Sequence, residues 1–242
     1  MRLEEFIKIS NNAKTLDELF QSFENEMAHL GFDRVIFSLM TDHIALDQKA
    51  GHGIAKNYPD DWMKYYGEQG YVDTDPVRRT LFSSDGPFIW KDLLNVPNLT
   101  QTQVDCIELG AEAGLNDGIG IPLRGTHGAL AGIGAASSGG GVELNQENLC
   151  YVNMLAQQFY LAYISHVKQQ NNDTIETAFL SDREQDILKW CAQGKTKWEI
   201  GQILAISEHT VNFHVRNAQK KLEASNITVA VIKALHQGLI QL

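Results

Sequence analysis

Cysteine is scarce in this chain. Cys106, Cys150 and Cys191 are the three in 242 residues, far apart and without a CxxC pair. That excludes a disulfide framework and points to free thiols in a reducing cytoplasm. No apolar run approaches the roughly 18 residues a membrane span requires. The N-terminus, MRLEEFIKIS, is acidic and amphipathic and lacks the basic and apolar regions of a secretory signal. The eight histidines show no HxxxH or HxH spacing, and no carboxylate stands beside an evident nucleophile or metal cluster. Neither a metal site nor an enzyme is therefore expected. Internal repeats and low-complexity tracts are missing too. What is present, 43% hydrophobic and 21% charged residues, suits a cytoplasmic globular protein with a real core.

The net charge of −10 is unevenly spread. Residues 1–174 hold 12 Lys/Arg against 23 Asp/Glu, whereas residues 175–242 hold 8 against 7. The acidity belongs to the first part, and the last 68 residues form a chemically different unit. Between them KQQNNDTIET, Lys168 to Thr177, is polar and lacks apolar periodicity. We expect domains at 1–167 and 179–242 joined by a linker at 168–178.

The first unit alternates helix and strand signals. Leu16, Leu19, Phe20, Phe23, Met27 and Leu30 share one helical face, with Thr15 and Glu18 at capping-box spacing and Gly31 as a stop. RVIFSLM, Arg34 to Met40, reads as a strand, and the segment after it as a returning strand. Residues 59–69 and 100–113 read as helices. Gly118 to Leu123 and Ala129 to Ser138 read as strands joined by RGTHG, a hairpin signal. Residues 145 to about 167 form a long amphipathic helix. The expected fold is α+β: an α–β–α sandwich around an antiparallel sheet, whose small-residue strand leaves room for a cavity.

The second unit reads as four helices. Ser181 with Glu184, and Thr196 with Glu199, have capping-box spacing. Gly194 ends the first helix, and Ser207 caps the third after a tight AIS turn. A short helix, a three-residue turn and a longer helix make a helix-turn-helix, whose second helix enters the major groove. In SEHTVNFHVRNAQKKL, Val211, Val215, Ala218 and Leu222 form the inward stripe. His209, Asn212, His214, Arg216, Lys220 and Lys221 are left facing out. Asn and Arg suit base edges and lysines suit phosphates, while the helix ends capped by Thr196 and Ser207 offer positive poles to a phosphate. Periodicity alone fits a solvated helical domain equally well.

One stretch, YPDDWMKYYGEQGYVDTDP from Tyr58 to Pro76, concentrates aromatic rings and acids. A helix beginning near Pro59 or Asp61 puts Tyr58, Trp62 and Tyr66 at i, i+4 and i+8 on one face. A core helix with an aromatic face explains that much. Tyr and Trp carry polar tips, however, and Asp75 is costly to bury unpaired. Tyr58 O–H, Trp62 N–H and the Asp75 carboxylate form a donor–donor–acceptor set suited to a neutral ligand with two carbonyls and one amide N–H.

The segment LSDREQDILKWCAQGKTKWEIGQILAISEHTVNFHVRNAQKKL resembles the DNA-binding domain of LuxR-type transcription regulators, with Glu184, Leu188 and Gly194 at that family's signature spacing. Phosphorelay response regulators share this output domain, but the first unit lacks the repeated βα pattern of their phosphoacceptor domain. Instead Tyr58, Trp62, Tyr66, Asp75, Pro76, Trp90 and Gly118 match, in type and spacing, the autoinducer-binding domain of LuxR-type quorum-sensing regulators.

The resemblance implies an N-acyl-homoserine lactone as ligand and no cofactor. It implies that Trp62 N–H donates to the lactone carbonyl, Asp75 accepts from the amide N–H, and Tyr58 O–H donates to the amide carbonyl. Tyr66 and Trp90 would pack on the ligand, with Pro76 and Gly118 shaping the backbone. Where several family members carry Ser or Thr, this chain has Gly134, which implies one polar contact fewer and more room for the acyl or aryl group. A homodimer reading a near-palindromic operator on double-stranded DNA is implied as well. The competing reading keeps the DNA-binding unit and gives the first unit a different small effector, or none.

Overall fold

The computed structural model describes residues 3–43, 46–171 and 179–241. The chain divides into two compact units, residues 1–125 with 129–173 and residues 174–242 with 126–128.

The first unit is built on five strands: β1 (Arg34–Leu39), β2 (Gly51–Lys56), β3 (Phe88–Ile89), β4 (Asn116–Arg124) and β5 (Leu130–Ser137). They form one antiparallel sheet in the order β2-β1-β5-β4-β3. Successive strand residues point to opposite faces, and the two faces of this sheet differ sharply in residue size. One carries Val35, Phe37, Leu39, Ile119, Ile121, Leu123 and Ile133, all fully buried in the main core. Helices α1 (Leu3–Asn12), α2 (Leu16–His29) and α8 (Gln146–Asn171) cover it with Phe6, Phe23, Met27, Leu155 and Phe159. The other face carries Ile36, Ser38, Gly118, Gly120, Gly132, Gly134 and Ala136, with Gly120 paired to Gly134, Ile36 to Gly134 and Ser38 to Gly132.

Five shorter helices lie in the chain between β2 and β4: α3 (Asp60–Glu68), α4 (Tyr71–Thr74), α5 (Pro76–Ser83), α6 (Trp90–Leu93) and α7 (Gln101–Glu112). Tyr66, Trp90 and Cys106 from three of them pack with Ile36 and Ala136 of the small-residue face in a second cluster. The α–β–α sandwich is thus present, with a glycine-rich sheet face turned toward an aromatic layer.

Two segments go beyond the sequence reading. Helix α5 starts at Pro76, where a missing N–H costs nothing, and Asp75 caps it by accepting from Val77 N–H at 2.7 Å. Helix α8 continues to Asn171, so the first four residues of the expected linker are helical. Lys168, Gln169 and Gln170 are good helix formers. Residues 172–178 of that linker lie outside the described residues.

The second unit comprises α9 (Asp182–Ala192), α10 (Lys197–Leu204), α11 (Glu208–Lys221) and α12 (Ile227–His236). Both expected capping boxes are complete, at Ser181/Glu184 and Thr196/Glu199, and Ser207 accepts from Thr210 N–H at 3.0 Å. Ala205 closes α10 in the left-handed conformation (φ 51°), which makes the tight turn into α11. Gly201 lets that turn close: a Cβ there would stand 2.8 Å from the Ile206 carbonyl oxygen.

Candidate functional site

Between the glycine-rich face and the aromatic layer lies a cavity with about 620 Å3 of empty space, part of it open to solvent. Six of the eight expected ligand residues line it: Tyr58, Trp62, Tyr66, Asp75, Trp90 and Gly134. Pro76 and Gly118 do not. Pro76 is buried at the first turn of α5. Gly118 lies beneath Trp90, where a Cβ would stand 1.9 Å from the indole Cε3. It therefore acts by letting the indole lie flat on β4.

Gly134 has the same relation to Tyr58. A Cβ there would meet the Tyr58 hydroxyl at 2.8 Å, Ile36 Cγ2 at 2.9 Å and Trp90 Cζ2 at 3.3 Å. The space freed by the missing side chain is taken by neighbours. Tyr58 and Trp90 thus pack closely on β5 at Gly134, which also lines the cavity.

The cavity's polar groups fall into two sets. In the first, Asp75 is buried; its Oδ2 accepts from Tyr66 O–H at 2.7 Å and its Oδ1 from Val77 N–H. Tyr66 is therefore a hydrogen-bond partner of Asp75 as well as a wall. Burial pushes the Asp75 carboxyl up, opposed by those two hydrogen bonds. Burial, reinforced by Asp75, holds the Tyr58 phenol well above its usual range, so it remains an O–H donor. Tyr58 Oη and Trp90 Nε1 are both buried and without a hydrogen-bond partner. Unpaired buried donors cost about 1–3 kcal/mol each, and here both belong to residues that line the cavity.

The second set was not anticipated: Ser38, His52 and Arg78, all lining the cavity. His52 Nδ1 lies 2.8 Å from Arg78 Nη1 and 3.1 Å from Ser38 Oγ. Arg can only donate, so Nδ1 accepts and the ring proton sits on Nε2. The imidazole stacks on Tyr66, with centroids 5.0 Å apart and planes 20° apart. Burial first, then the Arg78 charge, depress its pKa to about 4, so it is neutral near pH 7. A histidine on a short strand of exposed loop character and an arginine inside DPVRR gave no periodic signal linking them.

In the second unit α11 carries the expected polar face. His209, Arg216 and Lys220 are exposed, while Asn212 and His214 are half-buried. Asn212 Oδ1 accepts from Lys197 Nζ at 2.6 Å, which brings α10's first residue to this face. Lys221 does something else. Its Nζ is 2.7 Å from Glu184 Oε2, and Glu184 is buried. Burial alone would raise the Glu184 carboxyl, but Lys221 and the Ser181 hydrogen bonds outweigh it and hold it below the usual range. Lys221 thus ties α11 to α9. Leu188 is fully buried in the unit's core, and Gly194 leaves α9 with positive φ. Phe213, 56% exposed beside His214, adds an aromatic ring to the outward face, where an apolar residue carries no polar signal in the sequence.

Known proteins give this arrangement a family. Residues 15–163 match the model of the autoinducer binding domain, and residues 178–234 match that of the luxR family of bacterial regulatory proteins. The chain is 36% identical over 207 residues to the y4qH protein of Sinorhizobium fredii, covering 84% of this chain but only 62% of that longer protein. It is 32% identical to the HTH-type quorum-sensing regulator RhlR of Pseudomonas aeruginosa, across 92% of this chain and 89% of RhlR. Escherichia coli SdiA has a similar structure, with a TM-score of 0.68 at 27% identity over 99% of this chain and 98% of SdiA. A second SdiA structure contains octanoyl-rac-glycerol; it has a TM-score of 0.66 at 27% identity over 98% of this chain and 94% of that one. An autoinducer-binding unit followed by a helix-turn-helix places this chain in the LuxR family of quorum-sensing transcription regulators, which are DNA-binding proteins and not enzymes.

Proposed function

We propose that the cavity binds an N-acyl-homoserine lactone and that this ligand governs sequence-specific DNA binding by a cytoplasmic homodimer. The observation that carries the reading is the pair of buried, unpartnered donors beside a buried carboxylate: Tyr58 O–H, Trp90 N–H and Asp75. A neutral ligand with two carbonyls and one amide N–H satisfies all three. Trp62 N–H supplies a third donor, for the lactone carbonyl. Asp75 takes the amide N–H, and Tyr58 the amide carbonyl. Trp90, expected only as a wall, joins the donors.

A monoacylglycerol is the second reading, because SdiA holds octanoyl-rac-glycerol in a similar structure. It offers hydroxyls to Asp75 but has no amide for Asp75 and Tyr58 to share. Mass spectrometry of small molecules co-purifying from lactone-producing and lactone-free cells separates the two. Lactone found only in protein from producing cells supports the first reading; glyceride alone in both sinks it.

On the DNA side, His209, Asn212, Phe213 and Arg216 are the proposed base-facing residues, with Lys197, Lys220 and the capped ends at Thr196 and Ser207 on the phosphates. Domain limits of 1–167 and 179–242 fit this division of labour. For the dimer, α8 exposes Met154 (47%) and Leu161 (62%), seven residues apart and hence on one face. Two copies of α11 then read half-sites about one helical turn, roughly 34 Å, apart.

A further inference from the structure

Lys197 and Asn212 are joined to each other on the outward face of the helical unit, and the bond between them has a direction. Lys197 is the first residue of α10, and its Nζ donates to Asn212 Oδ1 at 2.6 Å. Lysine carries three N–H donors and no acceptor, so the amide atom it faces has to be the oxygen. While that bond holds, the Asn212 amide cannot flip, and its NH2 group is the end left free. Among the described residues, no carboxylate forms an ion pair with Lys197. The nearest acid in sequence, Glu199, is folded back onto Thr196, accepting from its backbone N–H and its hydroxyl at 2.8 Å each. The ammonium thus spends one donor on Asn212 and keeps two spare.

This pairing changes what Asn212 can read. A free asparagine suits adenine, accepting from the N6 amino group through Oδ1 and donating to N7 through Nδ2. Here Oδ1 is already occupied, and an adenine amino group brought to it would meet the ammonium, donor against donor. What the pair offers instead is donors on two atoms, Asn212 Nδ2 and Lys197 Nζ. Guanine is the base whose major-groove edge presents two acceptors, N7 and O6, and no donor. The neighbouring stripe points the same way. Arg216 and Lys220 stand four and eight residues after Asn212, on the same side of α11, and both only donate. The third N–H of Lys197 remains for a phosphate, so one side chain ties backbone contact to base choice.

We infer that Lys197 is a specificity residue that locks the Asn212 amide and turns it from an adenine reader into half of a guanine-reading donor pair. This rests on the base-facing reading of α11 proposed above. The test selects duplexes from a randomised operator library with the full chain purified from lactone-producing cells. Asn212→Ala, Lys197→Met and Lys197→Ala are run beside it; Lys197 is exposed, so its variants should keep the wild-type melting temperature. The position at which Asn212→Ala loses discrimination is the one Asn212 reads. There the wild-type protein should prefer guanine over adenine by about tenfold, as a good bidentate contact gives. In both Lys197 variants that ratio should fall about tenfold or more, with adenine gaining, because Oδ1 is free again. Affinity lost evenly over all sequences, with the guanine preference intact, would make Lys197 a phosphate contact only and overturn the inference. A wild-type preference for any other base at that position overturns it too. If Asn212→Ala alters selection at no position, the base-facing reading itself falls and takes the inference with it. Guanine in the wild type giving way to adenine in the Lys197 variants supports both.

Discussion

At the scale of single residues, the same substitution should have opposite effects at two glycines. Gly67 sits exposed within α3 with nothing near a would-be Cβ, and its φ is not left-handed. Gly67→Ala should stabilise the protein by about 0.5–1 kcal/mol, since alanine loses less backbone entropy in a helix. Gly118→Ala drives a methyl into the Trp90 indole. It should cost at least the 1–3 kcal/mol typical of overpacking and change tryptophan fluorescence. Denaturant melts of both variants check this; a Gly118→Ala protein as stable as wild type would mean Trp90 is not held as described. His52 makes a pH prediction. Its folded pKa is about 4 against an ordinary 6.5. Between those values the unfolded chain binds a proton that the folded chain refuses, so this contribution is intact above about pH 6.5 and fades toward pH 4. From pH 7 to pH 5 it should cost about 2 kcal/mol. Asp75, raised by burial, acts in the opposite sense, losing its contribution as pH rises. His52→Asn should therefore lose less stability than wild type over that interval in urea titrations; identical slopes would remove His52 as the source.

At the scale of elements, α11 separates two tasks that look alike in sequence. Lys220 and Lys221 are neighbours, but only Lys221 reaches the buried Glu184. Lys221→Met should lower the melting temperature of the helical unit while operator affinity, measured on the folded fraction, changes little. Phe213→Ala should do the reverse, because the ring is 56% exposed and supports no core. Operator affinity should fall several-fold in a fluorescence-anisotropy titration with the melt unchanged, as loss of an apolar contact to a thymine methyl requires. If both variants behave alike, this division of α11 is wrong. The same contrast shows what was legible beforehand. Capping boxes at Ser181 and Thr196 and the inward stripe Val211, Val215, Ala218 are local patterns, and each is found where the spacing places it. The Lys221–Glu184 pair joins residues 37 apart, and the His52–Arg78 bond joins residues 26 apart. Neither leaves a periodic trace. The four-residue helices α4 and α6 are too short for a 3.6-residue pattern, and α5 and α6 rest through Leu81 and Trp90 on glycines that belong to distant strands.

At the scale of the whole molecule, the ligand should act on the stability of one unit and not the other. The first unit has a single main core on one sheet face, but on the other face its aromatic layer surrounds empty space and leaves two buried donors unpaired. The helical unit has its own separate cores around Leu188 and Val215. A ligand bound only by the folded first unit adds RT ln(1 + [L]/Kd), about 2.7 kcal/mol at a hundredfold excess over Kd. For a unit of this size that corresponds to a rise of very roughly 5–11 °C. Calorimetry of the full chain should accordingly show one transition that climbs with lactone concentration and one that stays fixed. Asp75→Asn should suppress the climb without moving the fixed transition, and Tyr58→Phe should reduce it by the share of one hydrogen bond, about 1 kcal/mol. Leu161→Glu places a charge on the exposed face of α8 and should leave the climb intact while halving the mass seen in sedimentation. Two transitions rising together would mean that ligand binding is coupled directly into the helical unit, and a mass unchanged by Leu161→Glu would mean that the dimer is built on another face.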